Sequence, residues 1–321
     1  MSEVRPLEVR QVAAYYKPVG ERAEDILAQA ELFRTNCFSE YNVGVHLYPT
    51  EPDVAGTAES IQENVGEDTA IVVFAGDGSS HDMLEALVRL KSNTPVTAGP
   101  GGNACDLAHQ LHTRQALRHP EQIIARGHQK ELRPLRILAQ RPDQTSAEET
   151  FAFGYWGTRM SAEGVAAIAT PEFRESVKDL SAPARFLHEA NIVYGALRRA
   201  STVTVRDGEH TRNIIELNVL NGSREAKTMH VPTVHLLRPR AHVTEIHHPN
   251  LPSLLIGLAR ATLRPLAVIE QGTELTYTLQ TEDGDLPVQA DGEVTHYPSG
   301  TVFTFSLGAQ AVNAITTRGR S

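Results

Sequence analysis

The chain has 321 residues, with 30 Lys and Arg against 39 Asp and Glu; the resulting formal net charge of −9 excludes general nucleic-acid binding through a basic surface. A hydrophobic content of 40% is enough for packed cores, and the length suits two domains better than one. Two cysteines, Cys37 and Cys105, give neither a disulfide framework nor zinc spacing.

The opening MSEVRPLEVR lacks the apolar stretch of a secretory signal. RQVAAYYKP reads as a strand ending at Pro18, and ERAEDILAQAELFRTNCF as an amphipathic helix with Ile26, Leu27, Ala30 and Phe33 on its apolar side. NVGVHLYP is strand-like, and DVAGTAESIQENV is helix-like behind Thr50. AIVVFAG follows as a buried strand and SSHDMLEALVRLK as a helix, then TPVTAG as a short strand and NACDLAHQL as a helix. This alternation predicts an open, mainly parallel α/β sheet with helices on both faces. Ligands of such sheets sit at the carboxyl ends of the strands, where Gly76-Asp77-Gly78 falls.

After about residue 130 the texture changes to short β-rich segments separated by turn residues, among them STVTVRDG, RNIIELNVLNG, ELTYTLQTEDG and GTVFTFSLG. These predict an antiparallel sandwich or barrel. The expected division is 1–130 for the α/β domain and 131–308 for the β-rich domain, with a tail from about 309 returning to the first. Helical patterns interrupt the β-rich part at SAEGVAAIA, at APARFLHEANIVYGALRRA and at Leu254 to Leu263. The apolar run Leu251 to Ile269 is broken by Arg260, Arg264 and Pro265, so no membrane-spanning helix is expected and the protein is read as cytoplasmic.

GDGSS opens a helix directly after a buried strand, and GPGGNACDLA does so after the next strand. Helix N-termini present unpaired N–H groups and a positive dipole end, and glycine lets backbone approach a phosphate. There is no G-x-x-x-x-G-K-[ST], no G-x-G-x-x-G followed by a distant acid, and no G-x-S-x-G, which excludes a Walker loop, a Rossmann fingerprint and a nucleophile elbow. His109 with His112, and His242 with His247 and His248, lack zinc-site spacing and are read as structural.

FAGDGSSHDMLEAL resembles the GGDGT block of the diacylglycerol kinase and sphingosine kinase superfamily, and GPGGNACDLAHQL resembles the P-x-G-T-x-N-D-x-A-R block that follows. YPTEPDVAGTAESI resembles the family's strand end and Thr before its next helix, and LPVQADGE its D-G-E block. The resemblance implies a phosphofructokinase-like N-terminal domain, a C-terminal β-sandwich, and ATP in the cleft between them. Thr50, Gly76, Asp77, Gly78, Ser79, Gly102 and Asn103 would bind nucleotide. Glu293 would accept the proton of the lipid hydroxyl, with Asp291 beside it and Asp77 as further catalytic acids; Asp77 and Asp291 offer the oxygen ligands that hard Mg²⁺ wants, Asp77 being the one to organise it. His81 and Ser161 stand where the family meets substrate.

The sequence departs from the family at Ala75, Ser79, Asn103 and Cys105, and at Ser161, where members carry an acid. No structural Mg²⁺ site is expected, because LLRPRAHVTEIHH lacks the acids for one apart from Glu245. The expectation is a Mg²⁺- and ATP-dependent lipid kinase in transient contact with a membrane surface, with a homodimer through the β-rich domain as a family expectation. A catalytically impaired relative that only binds nucleotide or lipid, and an NAD kinase-like enzyme, are the alternatives.

Overall fold

A computed structural model of the chain describes residues 5–6, 9–20, 22–101, 106–168, 170–177, 180–181, 184, 188, 191–192, 195, 201–222, 224–225, 229–230, 237–247, 265–282 and 284–318. As far as Leu132 the order is β1 (Arg5–Pro6), β2 (Gln11–Tyr16), α1 (Ala23–Tyr41), β3 (Gly44–Pro49), α2 (Val54–Asn64), β4 (Thr69–Phe74), α3 (Asp77–Arg89), β5 (Val96–Ala98), α4 (Asp106–Leu111), α5 (Arg114–Arg118), α6 (Glu121–Arg126) and β6 (His128–Leu132). Next come β7 (Leu135–Gln140), β8 (Glu148–Ala152), β9 (Tyr155–Thr158), α7 (Arg159–Ile168), α8 (Pro171–Val177), β10 (Val203–Asp207), β11 (His210–Ile214) and β12 (Glu216–Leu220). The chain finishes with β13 (Arg224–Glu225), β14 (Met229–His230), β15 (Arg240–Ile246), β16 (Ala267–Glu270), β17 (Glu274–Thr281), β18 (Asp285–Ala290), β19 (Glu293–Pro298), β20 (Thr301–Leu307) and β21 (Val312–Thr316). The expected helices at 182–200 and 254–263 lie almost wholly outside the described residues.

The first sheet runs β1-β6-β21-β5-β4-β2-β3. From β3 to β21 the neighbours are parallel, whereas β6 and β1 add antiparallel pairs at the other edge, so the sheet is open and mainly parallel with a mixed edge. Every residue of β4 is buried, as a central strand covered on both faces requires. On α1 the buried residues Ile26, Ala30, Phe33 and Cys37 form one stripe, and Asn42 in the left-handed region (φ 55°) ends the helix. Asp53, rather than Thr50, caps α2, accepting from Gly56 N at 2.8 Å.

Two antiparallel sheets, β11-β10-β17-β20-β7-β8 and β16-β15-β12-β9-β18-β19, make up the β-rich part. Their inner faces form one core around Trp156, whose ring lies 4.7 Å from Phe305 and 5.2 Å from Phe303. The chain passes from the first sheet to this sandwich between β6 and β7 and returns between β20 and β21. Arg133 ties the two crossings together, donating to the carbonyls of Ala309 (2.9 Å) and Gly308 (3.4 Å). Wholly buried Asn221 donates to the carbonyls of Arg133 (2.9 Å) and Phe153 (3.2 Å) and secures the same junction from the sandwich side.

Candidate active site

In the parallel register, Tyr16 stands opposite Pro49 on one side and Phe74 on the other, and Val73 opposite Ala98. The turns after β2, β3, β4 and β5 therefore emerge along one edge. Thr50 N donates to Tyr16 O (2.9 Å), Lys17 N to Phe74 O (3.2 Å) and Gly99 N to Val73 O (2.9 Å), which fixes those turns side by side. Only Ala75 and Gly76 separate β4 from α3. Gly76 is the N-cap, in extended conformation and with no side chain capping the helix, and the first bond that closes the turn is from Ser80 N to Gly76 O. The N–H groups of Asp77, Gly78 and Ser79 are thus those that an α-helix leaves without an internal partner. A Cβ on Gly78 would meet nothing within 4 Å, so space is open beside this helix start.

The second glycine turn touches the first. A Cβ on Gly101 would come within 2.4 Å of Ala75 N and 2.6 Å of Phe74 C, so no larger residue fits there. Asp77 Oδ1 accepts from Leu107 N (3.2 Å), binding the start of α3 to the first turn of α4. Burial and the neighbouring Asp106 charge push the Asp77 carboxyl up, against the pull of the backbone N–H groups of Leu107 and Asp106. Gly102 and Asn103, expected at the nucleotide, lie outside the described residues, as does Cys105.

The D-G-E motif is a hairpin. Asp291 (φ 49°) and Gly292 (φ 95°) form a two-residue turn with both residues in the left-handed region, and Ala290 pairs with Glu293 across it. Asp291 points back into the protein: Oδ1 accepts from Gly154 N (2.8 Å) and Tyr155 N (2.9 Å), and Oδ2 from Phe153 N (2.6 Å). Its remaining bond is to His81 Nδ1 on α3, at 3.0 Å. With both oxygens so engaged, Asp291, expected among the catalytic acids, holds the turn in place. His81 is likewise 6% exposed, its other nitrogen Nε2 lying 3.2 Å from Glu85 Oε2. Both ring nitrogens, which the resemblance set beside substrate, are thus used within the protein. Burial alone would push the imidazole down, but the bonds to Asp291 and Glu85 outweigh it and raise the pKa to about 10. Burial of Glu85 is outweighed in turn by His81 and Arg89, which hold its carboxyl down; Arg89 Nε donates to Glu85 Oε1 at 2.8 Å.

Glu293 itself is exposed at the start of β19. Across from it, on the first turns of α3, stands Asp82, which the motif comparison did not single out. Burial, then the Glu293 charge, raise the Asp82 carboxyl to about 6. The signal was present in the sequence as the acid one residue after His81. Ser161 lies in the first turn of α7, where Oγ donates to Thr158 O (3.2 Å) and N donates to Glu216 Oε2 (3.1 Å). The carboxylate at this spot therefore comes from wholly buried Glu216 on β12. A Cβ on Gly157 would meet Asn218 Oδ1, Ser161 Oγ and Glu216 Oε1 within 2.9 Å, so these groups converge over one strand. His112 is buried against Thr97 Oγ1 at 2.6 Å, and burial followed by the Arg318 charge lowers it to about 3. Among the described residues no group of three or more His, Cys, Asp or Glu side chains is arranged to hold a metal. Among the same residues no helix is long and apolar enough to cross a membrane.

Residues 24–137 match the sequence model of the diacylglycerol kinase catalytic domain. No curated protein sequence matches the chain. A diacylglycerol kinase structure from Bacillus anthracis str. Sterne superposes with a TM-score of 0.61 at 15% identity, covering 94% of this chain and 96% of that one. A candidate diacylglycerol kinase from the same organism gives 0.64 at 15% identity, over 96% and 98%. Yeast NADH kinase complexed with NADH gives 0.57 at 14% identity, over 98% and 85%. At these identities the likeness concerns the fold, an α/β unit followed by a β-sandwich. Residues 24–137 are thus similar to a diacylglycerol kinase catalytic domain, and the whole chain shares the fold of these diacylglycerol kinase and NADH kinase structures.

Proposed function

We propose that the protein transfers the γ-phosphate of ATP to a hydroxyl of a lipid acceptor of the diacylglycerol or sphingoid type. The observation that carries this reading is the seating of the Glu293 hairpin on α3, the same helix whose open N-terminus begins at Gly76. Gly76, Asp77, Gly78 and Ser79 would hold phosphate through backbone N–H groups and the helix dipole, with Thr50 at the end of β3, two strands along. Gly102 and Asn103 are carried into the proposal from the resemblance alone.

The Glu293 side chain makes no hydrogen bond or ion pair among the described residues and is exposed, as suits a base that must meet an acceptor hydroxyl. A carboxylate oxygen of Asp77, together with phosphate and water oxygens, would suit Mg²⁺, a hard cation that would neutralise phosphate charge. Asp77 would be its principal holder, through an oxygen not spent on Leu107. Transfer then rests on positioning: the helix start fixes the phosphates and the hairpin fixes the carboxylate that takes the proton. A lipid acceptor implies transient work at a membrane surface, and a homodimer through the sandwich remains part of the proposal.

The test is turnover of Mg·ATP by the full chain against diacylglycerols, sphingoid bases, ceramide, monoacylglycerol, polyprenols and NAD. One lipid is expected to be phosphorylated, with the rate lowered at least ~100-fold in Glu293→Gln while nucleotide still binds. Nucleotide binding without turnover would make the chain a binding protein, and phosphorylation of NAD would place it with the NAD kinases.

A further inference from the structure

We propose that His81 is a positioning residue for this reaction, latching the Glu293 hairpin of the sandwich to the helix that presents the phosphate turn. The proposal rests on the kinase reading of the same site and adds a residue that reaches neither nucleotide nor acceptor.

Asp77, His81, Glu85 and Arg89 recur every four residues, so they form one ridge along α3, from the phosphate end to the C-terminal end. Asp77 binds Leu107 N, His81 binds Asp291, and Glu85 holds His81 from behind while Arg89 holds Glu85. Three of the bonds on the Asp291 carboxylate come from Phe153, Gly154 and Tyr155 within the sandwich, and the fourth comes from His81 across the junction. The rotation and depth of one helix therefore set both the phosphate turn and the hairpin that carries Glu293.

A histidine serving only to fill a core would be neutral, with one nitrogen on a backbone carbonyl. Here both nitrogens face carboxylates, with side-chain exposures of 7% for His81, 7% for Glu85 and 10% for Asp291. Burying such charges is costly, and fixed geometry is the best-attested reason for retaining them. Phe153, whose N–H is one of the Asp291 donors, packs edge-on against the His81 ring at 5.6 Å, so the ring is held by its edges as well as its nitrogens.

The experiment compares His81→Ala, His81→Gln and Glu85→Gln in the full chain by steady-state kinetics, nucleotide binding and amide exchange. His81→Ala is expected to lower kcat roughly 100-fold with KM for ATP within about two-fold, the pattern of lost orientation. His81→Gln, which can still donate to Asp291, should recover about a tenth of the wild-type rate. The amides of Phe153, Gly154 and Tyr155 should exchange at least about tenfold faster in His81→Ala, with β4 and α3 still protected. Glu85→Gln leaves the Asp291 contact in place and should fall between wild type and His81→Ala, which keeps the test valid if the alanine variant does not fold. Unchanged kcat with the hairpin amides still protected overturns the proposal, as does a loss of rate that only follows the folded fraction. A wild type that phosphorylates nothing overturns the kinase reading and with it the catalytic part, while the exchange data still decide whether His81 holds the hairpin.

Discussion

Asp291 of the sandwich and His81 of α3 meet at 3.0 Å, a carboxylate against an imidazolium where the two halves of the chain join. Because the folded-state pKa of His81 is raised to about 10 from an ordinary value of 6.5, this pair stabilises the fold fully below about pH 6.5. Its contribution then declines as pH rises and is gone above the folded value. Urea unfolding at pH 6, 8 and 10 should show wild-type stability falling by at most about 1.4 kcal/mol per pH unit from this source. His81→Gln should remove that slope. A slope of the opposite sign between pH 7 and 10 would contradict the assignment.

Two glycines at the site should respond oppositely to alanine. Gly101→Ala drives a methyl into the backbone of Ala75 and should cost about 1–3 kcal/mol, read as a lower melting temperature. Gly78→Ala meets open space inside a helix and should gain about 0.5–1 kcal/mol. If that open space receives phosphate, the same variant should bind ATP more weakly despite its greater stability.

Asp82 and Glu293 repel each other across the cleft, which burial of Asp82 aggravates. A raised carboxylate pKa means that the folded state is disfavoured when Asp82 is charged, so stability from this group improves as pH falls through about 6 toward 4. Asp82→Asn should therefore stabilise the protein at pH 7.5 by about 1 kcal/mol, after allowing for the water that screens a part-exposed group. The gain should vanish near pH 4, which melting curves at the two pH values will show.

Asn221→Ala leaves the buried carbonyls of Arg133 and Phe153 without the amide that serves both. A loss of about 2–3 kcal/mol is expected. Because those carbonyls sit at the crossing between the sheet and the sandwich, calorimetry should resolve two unfolding transitions in the variant where wild type gives one.

Much of the architecture is written in local pattern. The unbroken apolar run of β4, the period-four stripe of α1 and the alternation of β20 each follow from which faces are buried. The glycine turns and the D-G-E hairpin were legible for the same reason, since a left-handed pair such as Asp291-Gly292 has few sequence solutions. What the motif could not say is where a side chain goes. Asp291 is only two residues from Glu293 in sequence yet turns inward to backbone N–H groups, and His81 turns to Asp291 from more than two hundred residues away. The contact of Gly101 with Ala75 and the arrival of Glu216 beside Ser161 also depend on strand order, which periodicity does not encode. The antiparallel edge of the first sheet has no local signal, because β21, which brings β6 into the sheet, is remote in sequence from the strands it separates.

That strand has a consequence for how the molecule is made. β21 lies between β6 and β5, and Ala314 pairs with Val96 on one side and with Lys130 on the other. On a ribosome, β2 to β5 can assemble early, but β6 and β1 have no sheet to join until β21 has emerged. The sandwich, spelled out between the two crossings, can close first and hold the last strand near its slot, sparing a search over a very long loop. A nascent chain stalled before Val312 would therefore expose strand edges at β5 and β6 that invite pairing with other chains.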